Sequence, residues 1–244
     1  MSSDIIRTAL LLGCQTTITI TPAGYYPPEE HDTPEQPKPF QPDPDNRETD
    51  ATMELNQDAD LGLARVGDTM DIDVDGTIMT YRVASTDMNA AWMVPTTVWR
   101  DRMPFDKDGS NEWTTSSLRT WMNGWYLDHL PGTIRRRIMP YHMLLPGGGA
   151  DICDVWAPSE EQTFGSAIFG DDVKPGRERL FPDRASRRLT DPDGTERWWW
   201  TRSSGSGGTY GVPIVYSGGA ANIGSASNTG GGALPCFILG RQAE

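Results

Sequence analysis

A chain of 244 residues is long enough for one large domain whose core needs no crosslinks, and its formal net charge of −13 repels a phosphate backbone or an anionic membrane surface. Three cysteines (Cys14, Cys153, Cys236) without Cys-x-x-Cys spacing, and three histidines (His31, His129, His142) without ligand spacing, indicate neither a disulfide framework nor a metal cluster. No stretch approaches the roughly 20 apolar residues of a membrane span, so nucleic acid, a membrane span, a metal and a cofactor are all unexpected.

Residues 1–60 differ from the rest: they hold three basic residues against twelve acidic ones and carry −9 of the total, against −4 for residues 61–244. "TALLLGC", ending at Cys14, is similar to a bacterial lipoprotein cleavage site, but its apolar run is short and its leader carries Asp4, so a buried strand is the preferred reading. "QTTITIT" then alternates with period two, as a half-buried strand does, and must pair with the main domain or another chain. From Pro22 to Pro44 prolines recur every few residues, a composition of extended chain with no core of its own. These 60 residues read as an extended acidic, proline-rich arm, and residues 61–244 as the domain.

In the domain, "VGDTMDIDVDGTIMTYRVAST" alternates on both sides of Asp75-Gly76, a hairpin with a tight primed turn. Asp71, Asp73, Asp75 and Gly76 also match the opening of an EF-hand loop, but the closing glutamate falls at Arg82, a cation that repels calcium, so the hairpin is preferred. "AAWMVPTTVW" reads as a short apolar strand. Leu118, Trp121, Met122 and Trp125 then recur at i, i+3, i+4 and i+7 behind the caps Ser116 and Ser117, predicting a core-facing helix. A second short helix is predicted from Pro131 through "TIRRRIM" to Pro140, and a third behind a capping box of Ser159 and Gln162, closed by Gly165. The basic clusters Arg135–Arg137 and Arg184–Arg188 read as solvated faces or internal carboxylate partners.

Trp198, Trp199 and Trp200 precede a glycine- and serine-rich run. Alternation puts Trp198 and Trp200 on one face and Trp199 on the other, so both faces need cover and the triplet marks a central strand.

Four segments, "EWTTSSLRTWMNGWY", "DVWAPSEEQTFG", "WWWTRSSGSGG" and "GGGALPCFIL", fall in the order of four motifs in a family of uncharacterised bacterial and bacteriophage domains. The chain resembles that family over about residues 61–240, with matches at Ser117, Leu118, Arg119 and Trp121, at Ser159, Glu160 and Glu161, and at Trp200, Arg202 and Ser203. Such domains look like distant relatives of the C-type-lectin-like fold shared with formylglycine-generating enzymes. The resemblance implies an α+β class: a loop-rich, twisted antiparallel sheet with two or three short helices, here with the extended arm in front. Where the family usually has an arginine before the last motif's proline, this chain has Leu234 before Pro235, so no role of that arginine carries over. Formylglycine-generating enzymes bind copper with two cysteines late in the domain; only Cys236 stands there, and the activity is not transferred. The calcium-lectin-like triplet at Gln41–Asp43 lies in the arm. Trp121, Trp198, Trp199, Trp200, Arg119 and Arg202 are expected in the structural core, the two arginines as donors beside buried indoles.

The expectation is a noncatalytic bacteriophage virion structural protein, a decoration, fibre or tail adhesion component. Its arm would hold other virion proteins, its lectin-like domain would meet a host-surface glycan or protein, and the chain would be a homo-oligomer or assembly subunit. Binding is expected at the glycine- and serine-rich region Ser203–Gly232, where small side chains leave backbone groups free, with Tyr210, Tyr216 and Asn222 as contacts. No catalytic residue, metal or cofactor is assigned. The alternatives are a bacterial cell-surface lipoprotein anchored at Cys14 and, third, a copper-dependent enzyme of the formylglycine type.

Overall fold

The computed structural model describes Leu55 and residues 64–87, 89–172 and 179–240, all within one compact unit, Asp50–Glu244. The expectations for the acidic arm, the Thr-Ile strand, Cys14 and Gln41–Asp43 lie outside the described residues. Leu55, upstream of the expected boundary at Leu61, is buried in the core and its N–H donates to the Thr69 carbonyl at 2.6 Å.

In chain order the strands are β1 (Thr69–Val74), β2 (Thr77–Asp87), β3 (Ala90–Pro95), β4 (Arg102–Met103), β5 (Ile138–Met139), β6 (Tyr141–Leu144), β7 (Ala150–Cys153), β8 (Val155–Trp156), β9 (Leu189–Thr190), β10 (Glu196–Arg197), β11 (Trp199–Trp200), β12 (Gly211–Val215), β13 (Ala221–Ser225), β14 (Gly231–Gly232) and β15 (Cys236–Gly240). The short α-helices are α1 (Ser117–Trp121), α2 (Leu127–His129), α3 (Gly132–Arg135) and α4 (Glu160–Phe164). The fold is α+β, made mostly of strands in curled, largely antiparallel sheets with few short helices.

The first sheet runs β1-β2-β3-β15-β5, with β8 also on β15. Met70 and Ile72 on β1 pair with Tyr81 and Met79 on β2, and with Val74 and Val83 these are all fully buried, which is what period-two alternation demands of a sheet with one covered face. Asp75 (φ 49°) and Gly76 (φ 73°) make the two-residue turn with both φ angles positive, the geometry that matches the strands' right-handed twist. The aspartates of the calcium-like run serve the hairpin: the Asp73 carboxylate accepts the Gly76 N–H at 2.8 Å, Asp71 accepts the Thr80 hydroxyl at 2.5 Å, and Asp75 pairs with Arg100 at 3.2 Å. The C-terminal strand β15 lies in the middle of this sheet, bonded to β3 on one side and to β5 and β8 on the other.

The tryptophan helix departs from the expected winding. The Ser116 hydroxyl caps α1 by accepting the Arg119 N–H, but Met122–Tyr126 is a π-helical turn before α2. The fully buried face is Leu118, Met122 and Tyr126, while Trp121 and Trp125 are half-buried and stack on one another at 5.8 Å beside Trp99. The cause is Asn123, whose side-chain amide donates to the Arg119 carbonyl at 3.1 Å and the Val155 carbonyl at 2.8 Å. Its oxygen accepts the N–H groups of Asp154 and Val155. A side chain inserted into the main-chain ladder widens the turn, and the buried face then repeats every four residues. Tyr126 bonds to Tyr81 oxygen to oxygen at 2.6 Å, and Tyr81 donates on to the Pro235 carbonyl, tying the helix to the entry of β15.

The second predicted helix is shorter than expected. It ends at Arg135, because Ile138 and Met139 pair with Leu239 and Ile238 of β15 instead. The third is as read, with both halves of the Ser159–Gln162 capping box formed and Gly165 at φ 81°.

The second sheet runs β13-β12-β11-β14-β4 and places the tryptophan strand in its centre. Trp198 and Trp200 meet edge to face at 4.8 Å, whereas Trp199 turns the other way to Phe181 at 5.4 Å. Trp199 and Trp200 are fully buried with both indole N–H groups donating, to Arg187 and Met103 carbonyls; Trp198 is half-buried. A Cβ on Gly231 would lie 2.0 Å from the Trp200 Nε1, so only glycine fits beneath that indole.

Candidate functional site

Three of the four sequence motifs meet around one irregular region. Asn111, the residue just before the first, donates its side-chain amide to the carbonyls of Gly208 (2.7 Å), Gly211 (3.0 Å) and Gly205 (3.4 Å). Its backbone N–H donates to Thr209, and its own carbonyl accepts the Ser204 hydroxyl. The run Ser204–Gly211 is therefore wrapped on one asparagine. A Cβ on Gly205 would stand 2.6 Å from the Gly211 carbonyl oxygen, and one on Gly211 2.9 Å from Ile223 Cδ1. The expectation of free backbone groups is corrected here: these glycines permit close packing, and their carbonyls are already bonded.

The second motif is fixed to the third. Glu160 is fully buried, and its carboxylate accepts the N–H groups of Ile168 (2.8 Å), Phe169 (2.9 Å) and Gly170 (2.8 Å). Three successive amides make a nest that suits a negative charge. The Ser203 hydroxyl accepts the Glu160 N–H at 2.8 Å and donates to Asp172 at 2.6 Å. Asp172 also takes the Glu161 N–H, and the Arg202 N–H donates to Pro158. Ser159, Glu160 and Ser203 are thus joints between segments.

Between these joints lies a cavity of about 360 Å³, lined by Asn111–Thr114, Asp171, Asp172 and Arg202–Ser206 among others. Arg202 is only 7% exposed, and its Nε has no hydrogen-bond partner. Glu112 and Asp171 stand exposed at the rim. Arg119, the other motif arginine, is a multiply bonded donor. It grips Asp151 through Nε and Nη2, both at 2.7 Å, and reaches the Ile152 carbonyl, while Trp113 Nε1 donates to the same carboxylate. The bond to Asp151 raises the Arg119 pKa. Burial pushes the Cys153 thiol up to about 12 and Asp151 adds to the rise, against the pull of the Arg119 and Arg202 charges. Burial likewise raises the Cys236 thiol; both described cysteines are free and buried.

A second, more apolar hollow of about 240 Å³ opens beside the same loop, between Tyr210, Gly211, Ile223 and Gly224. Tyr210 and Ile223 are 66% and 46% exposed. Of the residues expected to bind, Tyr210 lies here. Asn222 neighbours Ile223 on β13 but points to the opposite side of that strand, by alternation. Tyr216, exposed in the turn after β12, is at the other end of that five-residue strand, about 20 Å of chain from Tyr210 at about 3.3 Å per residue. The structure therefore does not bring the three together. Asn111, Glu160 in its nest and the unpaired state of Arg202 escaped sequence reasoning. The partners of Asn111 lie 94 to 100 residues away, and no local pattern announces them.

Among the described residues no group of three or more His, Cys, Asp or Glu side chains is placed to hold a metal ion, and no helix is long and apolar enough to cross a membrane. The family described as "Domain of unknown function (DUF6273)" matches residues 89–241, from the start of β3 to the end of β15. No curated protein and no solved structure matches the chain.

Proposed function

The chain belongs to the DUF6273 family, whose description assigns no activity, and on the geometry of its loop region we propose that it is a noncatalytic binding protein of a bacteriophage particle. The domain is read as a C-type-lectin-like scaffold that meets a host-surface glycan or protein. Residues 1–60 are read as the tether to other virion proteins.

The observation that carries the reading is the loop Ser203–Gly211. Asn111 holds it from beneath, so that it presents a polar cavity on one side and the hollow of Tyr210 and Ile223 on the other. A surface fixed before its partner arrives loses little conformational entropy on binding. Exposed aromatic and aliphatic groups rimmed by polar ones are the usual composition of a contact site. Against cysteine chemistry stand the raised pKa values and burial of both described thiols, which leave little nucleophilic thiolate at neutral pH. The virion tether is supported by composition: an acidic, proline-rich segment suits a role in contacting other proteins rather than in forming a core of its own.

Two measurements test the reading. Deleting residues 1–49, which leaves the compact unit with its core residue Leu55 whole, is expected to abolish incorporation into particles while the domain stays folded by circular dichroism; incorporation at the wild-type level would refute the tether. In particles that carry the full chain, Tyr210→Ala with Ile223→Ser is expected to slow adsorption to host cells. Unchanged adsorption would refute the contact surface.

A further inference from the structure

We propose that the cavity lined by Arg202 is a receptor for the carboxylate of an acidic sugar residue, a uronic-acid type of ligand. A guanidinium is ionised at every physiological pH, and Arg202 is more than nine-tenths buried with no side-chain hydrogen bond to any described residue. Arg187, equally buried, keeps a partner for part of its guanidinium: its Nε donates to the Gly219 carbonyl and the group lies over the Phe164 ring, although its Nη1 has no hydrogen-bond partner. Around Arg202 the nearby anions are engaged. Asp151 is held by Arg119 and Trp113, Asp172 by Ser203 and the Glu161 N–H, and Glu160 by its three amides. A ligand carboxylate in the cavity would supply Arg202 with the counter-charge that these three do not, and its planar shape matches the guanidinium fork.

The rim sets the rest of the ligand. Glu112 and Asp171 at the mouth, on a chain of net charge −13, disfavour phosphate esters, sulfated chains and nucleic acid, each of which brings several negative charges. They favour a molecule with one inward carboxylate and outward hydroxyls, which carboxylates accept readily as hydrogen-bond donors. A volume of about 360 Å³ is at the lower end for small-ligand sites and suits a single sugar residue. The sugar half of the inference rests on the glycan-binding reading above; the anion half rests on Arg202 alone.

The test is calorimetric titration of the full chain with D-galacturonate, with D-glucuronate, with the uncharged methyl ester of galacturonate, and with glutamate. At least one sugar acid is expected to bind, with the ester and Arg202→Lys each weakening it by about tenfold, the scale of one lost charge-assisted bidentate contact. Equal binding of acid and ester, unchanged affinity in Arg202→Lys, or no binding of either acid would overturn the proposal. Glutamate binding as tightly as the sugar acids would overturn its sugar half. Because Arg202 is buried, the exposed rim variant Glu112→Lys serves as a second arm. It is expected to tighten galacturonate about threefold and leave the ester unchanged, by added attraction at the mouth, and an unchanged or lowered affinity for the acid counts against the proposal. Particle adsorption enters none of these readouts, so failure here and failure of the virion reading are separable.

Discussion

Two arginines from two motifs stand in the same part of the domain in opposite electrostatic states. Arg119 has a carboxylate, a carbonyl and a neighbouring indole N–H converging on its partner; Arg202, more deeply buried, has a cavity. The difference separates two uses of one residue type. A charge whose partner is built in holds segments together, because removing either half leaves the other uncompensated. A charge whose partner is missing strains the fold, and is intelligible where a ligand supplies the partner.

The Arg119 side can be broken most severely. Asp151→Ala leaves Arg119 and Trp113 Nε1 without their acceptor, and stripping one partner from a buried ion pair typically costs about 3–5 kcal/mol, discounted here toward the lower figure because Arg119 is about a quarter exposed. The measurement is the urea midpoint, which should fall sharply at unchanged slope. Asn111→Ala comes next. It removes the side-chain donor from the part-buried carbonyls of Gly208 and Gly211, of which Gly211 keeps the Gly205 N–H, so a loss of about 1–2 kcal/mol is expected. The same variant should abolish ligand binding, since the loop that walls the cavity loses its support.

Arg202→Met sharpens the contrast by its sign. Removing an unpaired buried charge and keeping the apolar stem should leave stability unchanged or raise it by about 1 kcal/mol, whereas Arg119→Met should lower it. A large destabilisation by Arg202→Met would mean that Arg202 has a structural partner after all, and would place the two arginines in one class.

How far these roles could be read in advance depends on the span of the interactions. The Asp75-Gly76 hairpin and the Ser159–Gln162 capping box are closed by contacts two or three residues apart, so pattern and spacing suffice. The central place of β11 was legible because period two puts large apolar groups on both faces, although the strand itself is Trp199–Trp200 and Trp198 stands just outside it. The π-helical turn was not, since Asn123 takes it from α-helical winding through Val155, 32 residues away. Tyr126, off the expected stripe, thereby replaces Trp125 in the core. The cavity was still less accessible. Its loop composition suggested open backbone, and only the placement of Asn111 beneath Gly205, Gly208 and Gly211 shows those carbonyls to be engaged and Arg202 to be the group left over.

The smallest expected effect is a pH response confined to the Arg119 side. Burial works against ionisation of Asp106, but the N–H groups of Ser110, Ser117 and Asp108 and the Ser117 hydroxyl outweigh it and hold its carboxyl below the usual carboxylate range. A carboxylate with a lower pKa folded than unfolded contributes stability that is fully present above the unfolded value of about 4 and is lost as pH falls through the folded value. Because Ser117 opens α1, protonating Asp106 loosens the start of the helix that carries Arg119. Urea midpoints measured between pH 7 and pH 3 should therefore decline below about pH 4. Asp106→Asn should start lower at neutral pH and decline less, because its amide has no proton to gain. Arg202→Met should follow the wild-type curve at every pH, since no hydrogen bond joins its side chain to that carboxylate; a flattened acid limb in that variant would show the two regions to be coupled.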